Sequence, residues 1–458
     1  MTGLRKRLPE TRRGMVVGTY LAAALVFGGG GSPSAAAEII VQLVFALCAI
    51  AWLWWARTAD DHPPKIAKPL VWLGAMIIVL PIVQVIPLPP GLWQALPGRG
   101  LASDALAVIG DRDGWRPMSV APYMTLAAIL AIVPAVGAML AAATLTGRDR
   151  RFVLLLVAMV GIAGAALGVL QMASGPGEFR LYEVSHDVWL TAFHASRNSA
   201  ADALLIGSLA LTAWFASTAG RRPVLRSDVG IVAVLQIFLI VALALTGSRA
   251  GIALLPLVLL VQYAMLRSTG VARQLSNGLA AAGALAALVA GAAVMFSGNS
   301  RLDSVLARFD ASRDSRVDLW QDTLTAIGQY WPWGSGVGTF TRTFLPVERV
   351  ETLDDLFPNR AHNDYLEFLL EAGALAPLIL LAGLGCLAWL ARRAWNAHRA
   401  DRPAVLFALG TFMVIGLHSF VDYPLRNMAI ASLAGVAAGL LGAIALNASG
   451  RQEMDALE

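Results

Sequence analysis

Charged residues are scarce in this sequence. Asp, Glu, Lys and Arg make up 14% of the 458 residues while 57% are hydrophobic, which excludes an ordinary soluble domain. Cysteine is scarcer still, since Cys48 and Cys386 are the only two and both fall in apolar runs. This excludes a disulfide framework and predicts simple packing for both thiols. No Cys or His spacing is typical of a zinc site, so neither a metal nor a cofactor is expected.

Long apolar runs are what the sequence has instead. They come in blocks of roughly 18 to 24 residues, long enough to cross a hydrocarbon core of about 30 Å as helices. The pattern predicts an all-α polytopic membrane protein with about twelve transmembrane helices. The predicted spans are 15–30, 36–56, 68–87, 122–145, 152–173, 198–218, 229–246, 250–266, 278–297, 374–391, 403–418 and 428–447.

The basic residues sort by side of the membrane. With the N-terminus in the cytoplasm, the cytoplasmic links and tails hold 21 of the 35 Lys and Arg, including all three Lys. This satisfies the positive-inside rule, places both termini in the cytoplasm and gives no single basic patch for nucleic acid. The first segment has the form of a signal peptide, but its removal would leave the remaining topology unchanged. The other 14 basic residues, all Arg, face outward and need an explanation.

The topology divides the chain into three parts. Residues 1–297 form helices 1–9 with short loops, 298–373 form a large outward loop, and 374–458 form helices 10–12 and a cytoplasmic tail. Within the loop, 315–330 is predicted as an amphipathic helix, the glycines of 334–338 as a flexible turn, and Asn363 as the start of another helix. The shorter outward segment 88–121, with Trp93 and Trp115, is typical of a chain resting at the interface.

Four outward clusters of polar residues stand at helix ends, where charges near membrane depth are functional candidates. They comprise residues 193–198 (Phe-His-Ala-Ser-Arg-Asn), 247–251 (Gly-Ser-Arg-Ala-Gly), 360–365 (Arg-Ala-His-Asn-Asp-Tyr) and 418–426 (His-Ser-Phe-Val-Asp-Tyr-Pro-Leu-Arg).

Arg197 and Arg249 each stand at the N-terminal end of a predicted helix. Such an end offers unpaired N–H groups and about half a positive charge, and a guanidinium adds a planar fork that grips phosphate. The pattern predicts an anion site at the membrane surface. The alternative is that each arginine only reaches to ordinary lipid phosphate.

His362 directly precedes a predicted helix start, where the local positive field favours the neutral imidazole that a general base needs. The alternative is a capping histidine without chemistry. Asp422 and Arg426 have the spacing of an i, i+4 ion pair, and His418 lies one turn before Asp422. Structural pairing is the favoured interpretation of these three.

Several of these motifs resemble a known family. The run 361–367 (Ala-His-Asn-Asp-Tyr-Leu-Glu) with Leu370-Glu371-Ala372-Gly373 resembles the signature of the O-antigen ligase and O-antigen polymerase superfamily. So do Arg316 to Trp320 with the downstream run 331–340, the Arg197-Asn198 pair and the Ser248-Arg249 turn. The similarity covers roughly residues 190 to 430.

The resemblance implies a GT-C-like membrane glycosyltransferase with a large periplasmic loop. It implies a metal-independent, inverting transfer of a glycan from undecaprenyl diphosphate to an acceptor hydroxyl, at the periplasmic face of the bacterial inner membrane. By position, Arg249 and Arg316 would hold the diphosphate and His362 would act on the acceptor. Further residues assigned to substrate binding are Arg180, Arg197, Asn198, Arg360, Asn363 and Tyr365, with His418, Asp422 and Arg426 in support. Arg308 and Arg313 are additional candidates, and Glu367 is a candidate partner of His362.

Glycan transfer of this kind serves several functions, which differ in the acceptor. A polymerase uses another lipid-linked repeat and a ligase uses lipid A core. The last outward turn, 422–426, resembles that of exopolysaccharide polymerases, and this resemblance slightly favours an O-antigen or exopolysaccharide polymerase. Protein O-glycosylation is a third option of similar chemistry, and a separate protein that regulates chain length would be a further partner. From a different class, a lipid-linked oligosaccharide flippase or transporter predicts charges near helix centres, whereas here they gather at one set of helix ends.

Overall fold

The computed structural model describes residues 9–30, 35–58, 65–175, 177–186, 188–219, 225–271, 316–353 and 358–455. The predicted ninth span, 278–297, and the candidates Arg308 and Arg313 lie outside these ranges.

The described chain is almost entirely helical. Its helices are α1 (Arg12–Phe27), α2 (Ala35–Thr58), α3 (Lys68–Val85), α4 (Pro90–Trp93), α5 (Gly100–Val108), α6 (Pro122–Ala142), α7 (Gly147–Ala173), α8 (Arg197–Ala219), α9 (Arg226–Leu245), α10 (Arg249–Ser268), α11 (Arg316–Tyr330), α12 (Phe340–Phe344), α13 (Asp364–Ala372), α14 (Leu375–Trp395), α15 (Arg402–His418) and α16 (Met428–Asp455). Two short strands, β1 (Pro87–Leu88) and β2 (Arg116–Pro117), form an antiparallel pair. Single 3-10 turns occupy Leu345–Val347, Val350–Thr352, Arg399–Asp401 and Pro424–Arg426.

Ten helices within the described ranges are long and apolar enough to cross a membrane, and each falls on a predicted span. The predicted class, an all-α multi-pass membrane protein, is confirmed. The first predicted span differs, because α1 has only 16 residues and ends at Phe27. Gly28 caps it, and Gly29 then pairs with His194 in an isolated bridge, so the chain leaves the helix before residue 30.

Helix α8 is the centre of the bundle. Its apolar window is 89% buried, against 6% for the corresponding window of α2, so α8 is surrounded by other helices while α2 lies at the outside of the described bundle. Small residues let the backbones meet: a Cβ placed on Gly207 of α8 would stand 3.2 Å from the Cα of Gly161 on α7. Close approach at small residues is how helices gain packing contacts in a membrane.

The polar helix ends gather at two opposite ends of the bundle. At one end Asp149 accepts hydrogen bonds from the Thr11 hydroxyl and the Glu10 backbone, and Arg150 pairs with Asp401 at 3.0 Å. At the other end lie the starts of α8, α10, α13 and α16 and the end of α15. We call this second end the site end, because all four polar clusters lie there.

The segment between α3 and α6 is a small cap on the site end. Leu101, Val108 and Ile109 project from it with exposed fractions of 72 to 87%, while Trp93 is buried and donates to the carbonyl of Gly114. Trp93 therefore packs inside the cap, and placement of the segment at the membrane interface stays a prediction that rests on the exposed apolar side chains and Trp115.

Candidate functional site

Three side-chain contacts join the four clusters. The Ser248 hydroxyl donates to Asn198 Oδ1 (2.9 Å), and His418 Nδ1 lies 2.6 Å from Asp202 Oδ1, one helical turn after Asn198. His362 Nδ1 lies 3.1 Å from an oxygen of Asp422. Segments separated by up to 216 residues therefore form one polar network.

The start of α13 fixes the position of His362. Asn363 caps the helix, because its side chain accepts from the backbone N–H groups of Tyr365 and Leu366 while its amide donates to the Phe420 carbonyl. His362 itself has φ +48°, an uncommon value for a residue with a side chain. Trp320 of α11 donates to the Ala361 carbonyl (3.1 Å) and ties down the preceding residue. The backbone around His362 is thus held from three directions.

Asp422 is the partner of His362. The histidine is 32% exposed while the carboxylate is buried, so the imidazole forms the outer member of the pair and is accessible from solution. Burial opposes ionisation of Asp422, but the hydrogen bond from His362 and the charges of His362, His418 and Arg316 outweigh it and lower its pKa to about 2. An ionised Asp422 can only accept, so Nδ1 of His362 carries the proton; in the neutral form of the imidazole, Nε2 is then left as an acceptor.

Behind Asp422 lies a second, fully buried pair, His418 with Asp202. We call these four residues, Asp202, His362, His418 and Asp422, the base cluster. His418 was predicted as a supporting residue, whereas Asp202 was missed. A single acid within the apolar run of α8 was the signal that pointed to it.

The arginines at the two helix starts lie beside the base cluster. Ser248 caps α10 through the Gly251 N–H and bonds Asn198, so the half-buried Arg249 stands next to the start of α8. The guanidinium of Arg197 lies 5.3 Å from the Trp189 ring centre, and the same ring covers the backbone of Gly247. The two predicted anion-binding helix starts are neighbours.

Arg316 begins α11 and reaches the same region. Its charge acts on both His418 and Asp422, and it is half-buried. Arg316 and His362 therefore both act on Asp422, while Arg249 follows Ser248, which bonds Asn198 one turn before Asp202.

A separate group, which we call the ion cluster, consists of Arg360, Asp364, Glu367, Glu371 and Arg426. Arg426 pairs with Glu371 (2.7 Å) and approaches Asp364 and Glu367, while Arg360 pairs with Glu367 (2.9 Å). The predicted ion pair of Asp422 with Arg426 is therefore wrong, as is the assignment of Glu367 to His362. Asp364, Glu367 and Glu371 follow an i, i+3, i+7 spacing, so they lie along one face of α13 over two helical turns, and Arg426 lies on that face.

Burial and mutual charge set the protonation of the ion cluster. Burial raises the pKa of Asp364 to about 7, because the Arg426 charge offsets it only partly and Glu367 adds repulsion. For Arg426 burial works in the opposite direction, but the carboxylates of Glu371, Glu367 and Asp364 prevail and raise its pKa. The cluster holds α13 against the turn before α16, and its charged side chains pair with one another.

The glycine-rich turn 334–338 is held in place by hydrogen bonds, so the prediction of a flexible turn is wrong. Ser335 and Gly336 donate from the backbone to the end of α13, Val337 donates to Gln84 Oε1, and Gly338 donates to a carboxylate oxygen of Glu371. The turn follows helix α11.

Two more predicted binding residues have mainly structural contacts. Arg180 donates to the Trp189 carbonyl and the Thr191 hydroxyl, which holds the loop before α8 together. Tyr365 donates to the Gly416 carbonyl (2.7 Å) and packs on Phe420. Arg360 and Asn363 also have mainly structural contacts. Arg360 pairs within the ion cluster, and Asn363 caps α13.

Comparison with known proteins gives one family match. Residues 231–381 match the family model Wzy_C, described as O-antigen ligase, and this stretch runs from α9 into α14 and contains Arg249, Arg316 and His362. No curated protein matches significantly. The family consists of membrane glycosyltransferases of the O-antigen ligase and polymerase type. This match confirms the resemblance seen in the sequence and supports the O-antigen ligase superfamily for this multi-pass membrane protein.

Proposed function

We propose that the protein transfers a glycan from undecaprenyl diphosphate to the hydroxyl of an acceptor sugar, at the periplasmic face of the bacterial inner membrane. The acceptor is another lipid-linked repeat, which makes the enzyme an O-antigen or exopolysaccharide polymerase. The observation that carries the proposal is the His362–Asp422 pair, whose accessible imidazole stands at the site end beside Arg316.

The pair supports the role of His362 as general base. With Nδ1–H held by the ionised Asp422, Nε2 takes the proton of the acceptor hydroxyl as its oxygen bonds to the anomeric carbon. The bond from that carbon to the diphosphate oxygen breaks with inversion, and undecaprenyl diphosphate leaves with the electron pair. His362 becomes an imidazolium whose charge is balanced by Asp422.

The neighbouring helix starts support the binding of the diphosphate. Negative charge builds on the departing oxygen, and the N-termini of α8 and α10 with Arg197, Arg249 and Arg316 supply fixed positive charge there. Asn198 is held by Ser248 at the same place.

The distribution of basic residues supports the proposed orientation. Among the described residues, Arg12, Arg148, Arg150, Arg392 and Arg402 all lie at the end opposite the site end. By the positive-inside rule that end is cytoplasmic, with both termini, and the site end is periplasmic.

The test is glycan transfer by purified protein in nanodiscs, supplied with a lipid-diphosphate-linked repeat and EDTA. We expect a ladder of lengthening products with donor alone and at least a hundredfold slower transfer by Arg249→Ala. Arg393→Ala is the matched control, because that exposed arginine stacks on Trp389 at the opposite end.

Three other outcomes identify the alternatives. Transfer only after addition of lipid A core identifies a ligase, and transfer only to a protein acceptor identifies a protein O-glycosyltransferase. Donor that crosses liposomes without transfer to any acceptor identifies a flippase and contradicts the enzymatic proposal.

A further inference from the structure

We propose that the buried pair Asp202–His418 is a charged positioning pair: an imidazolium and a carboxylate that set the electrostatic environment of Asp422, and through it the basicity of His362. This rests on the proposed role of His362 as base. Asp202 lies on α8 and His418 ends α15, so the pair links the central helix to the turn that carries Asp422.

The geometry of the pair is tight. His418 Nδ1 lies 2.6 Å from Asp202 Oδ1, and the two side chains are 0% and 2% exposed. Titratable side chains at such depth in a membrane bundle are costly, and packing of α8 with α15 alone would be served by apolar residues. The presence of both titratable side chains at this buried position therefore indicates a functional role.

His418 also holds the backbone of Asp422. Its carbonyl accepts from the N–H groups of Val421 and Asp422, both at 2.9 Å, which forms the first turn after α15. A displacement of His418 would therefore move the carboxylate that binds His362. The path from Asp202 to His362 consists of two side-chain contacts and one backbone turn.

The charges around His418 come from separate elements. Asp202 faces it from α8, Asp422 from the turn and Arg316 from α11, and His362 lies beyond Asp422. Of the other elements packed on α15, α10 carries Arg249 at its start and the 3-10 turn Pro424–Arg426 carries Arg426, while α14 and α16 have no charged residue in the half at the site end. Asp202 and Arg316 thus act on the region of Asp422 with opposite signs, and His418 adds one positive charge between two carboxylates.

Neutralising each member of the pair separately tests this balance. In His418→Gln, the buried Asp202 loses its counter-charge and becomes protonated; in Asp202→Asn, the buried His418 loses its counter-charge and becomes neutral. Either substitution therefore removes the imidazolium beside Asp422, so the acid limb of the pH profile of kcat/KM should move to higher pH in both variants. Each shift is expected to be about one pH unit, and Asp202→Asn/His418→Gln should show the same shift as either single variant.

Ser208→Ala is the matched control, since it removes an uncharged buried contact of α8 with Gln262. Equal shifts to higher pH in both single variants, with no further shift in the double variant, support the proposal. Limbs that stay in place while kcat falls in every variant show a merely structural pair and overturn it. If His418→Gln does not fold, Asp202→Asn decides alone, because Asn retains the oxygen that meets His418.

Failure of this inference is distinguishable from failure of the proposed function. If wild-type protein transfers glycan and His362→Gln does not, the function stands whatever the pair does. If wild-type protein shows no transfer, the proposed function itself is contradicted.

Discussion

The base cluster and the ion cluster are neighbours with opposite designs. Both use the segment 360–371 and the turn 418–426, yet the base cluster ends in an imidazole that is 32% exposed, while Glu367 and Glu371 of the ion cluster are 0% exposed. In the ion cluster every carboxylate meets an arginine, so its charges are spent on holding α13 to the turn before α16. The base cluster has an accessible imidazole and is therefore suited to catalysis. The ion cluster is buried and internally paired, so it is suited to holding the fold together.

Removal of the outer imidazole should have the largest effect. His362→Gln should lower the rate of glycan transfer by about 10²- to 10⁴-fold, because a general base is lost, with little change in the thermal midpoint. His398→Gln, an exposed histidine at the opposite end, is the control. A variant that keeps more than a tenth of the activity would remove His362 from the proposed mechanism.

Arg426→Ala should break the ion cluster instead. It leaves Glu371 and Asp364 buried without their main partner, which should cost about 3–5 kcal/mol of folding free energy, measured by denaturation in detergent. Arg342→Ala is a control, since this exposed arginine contacts only Tyr123 among its described partners. An Arg426→Ala protein of unchanged stability that fails in transfer would instead assign Arg426 to substrate binding.

The pH dependence of stability should report Asp364. Its pKa is about 7 in the folded protein and near 3.8 in the unfolded chain, so between these values the folded state binds more protons. Stability therefore falls as the pH rises from about 4 to 7 and levels off above 7, and the part of this loss between pH 6 and pH 8 is about 1.4 kcal/mol. Asp364→Asn, which keeps an acceptor for Ser419 and the Leu425 N–H, should lack this component; equal slopes in both proteins would contradict the assignment.

Trp320→Phe should have the smallest effect on stability and on glycan transfer, and it should affect both the base cluster and the ion cluster. It removes the hydrogen bond to the Ala361 carbonyl between Arg360 and His362, which should cost about 0.5–1.5 kcal/mol and lower transfer by about tenfold or less. Trp333→Phe, at a half-exposed tryptophan, should change neither quantity. A loss as large as that of His362→Gln would place Trp320 in direct contact with substrate.

Much of the fold follows from local sequence. Ten spans, the amphipathic helix at 316–330 and the helix that begins after Asn363 were predictable, because apolar run length, apolar periodicity and an N-cap residue are properties of neighbouring positions. The gathering of the four polar clusters at one end also followed, since it needs only the alternation of helix direction.

The local sequence did not predict which charged residues of the site pair with each other. Arg426 is spaced as well for Asp422 as for any other acid, but Glu371 lies nearer in space, and Asp422 turns to a histidine 60 positions earlier in the chain. The early end of α1 was also missed, since the bridge between Gly29 and His194 depends on a distant loop.

The sequence by itself determined the membrane class, the helix order and the inventory of arginines, histidines and acids at one end of the bundle. The tertiary structure decided which of those charges neutralise each other and which imidazole remains accessible. The physical reason is that hydropathy and capping act over a few residues, whereas an ion pair depends on distances between helices that the local chain does not encode.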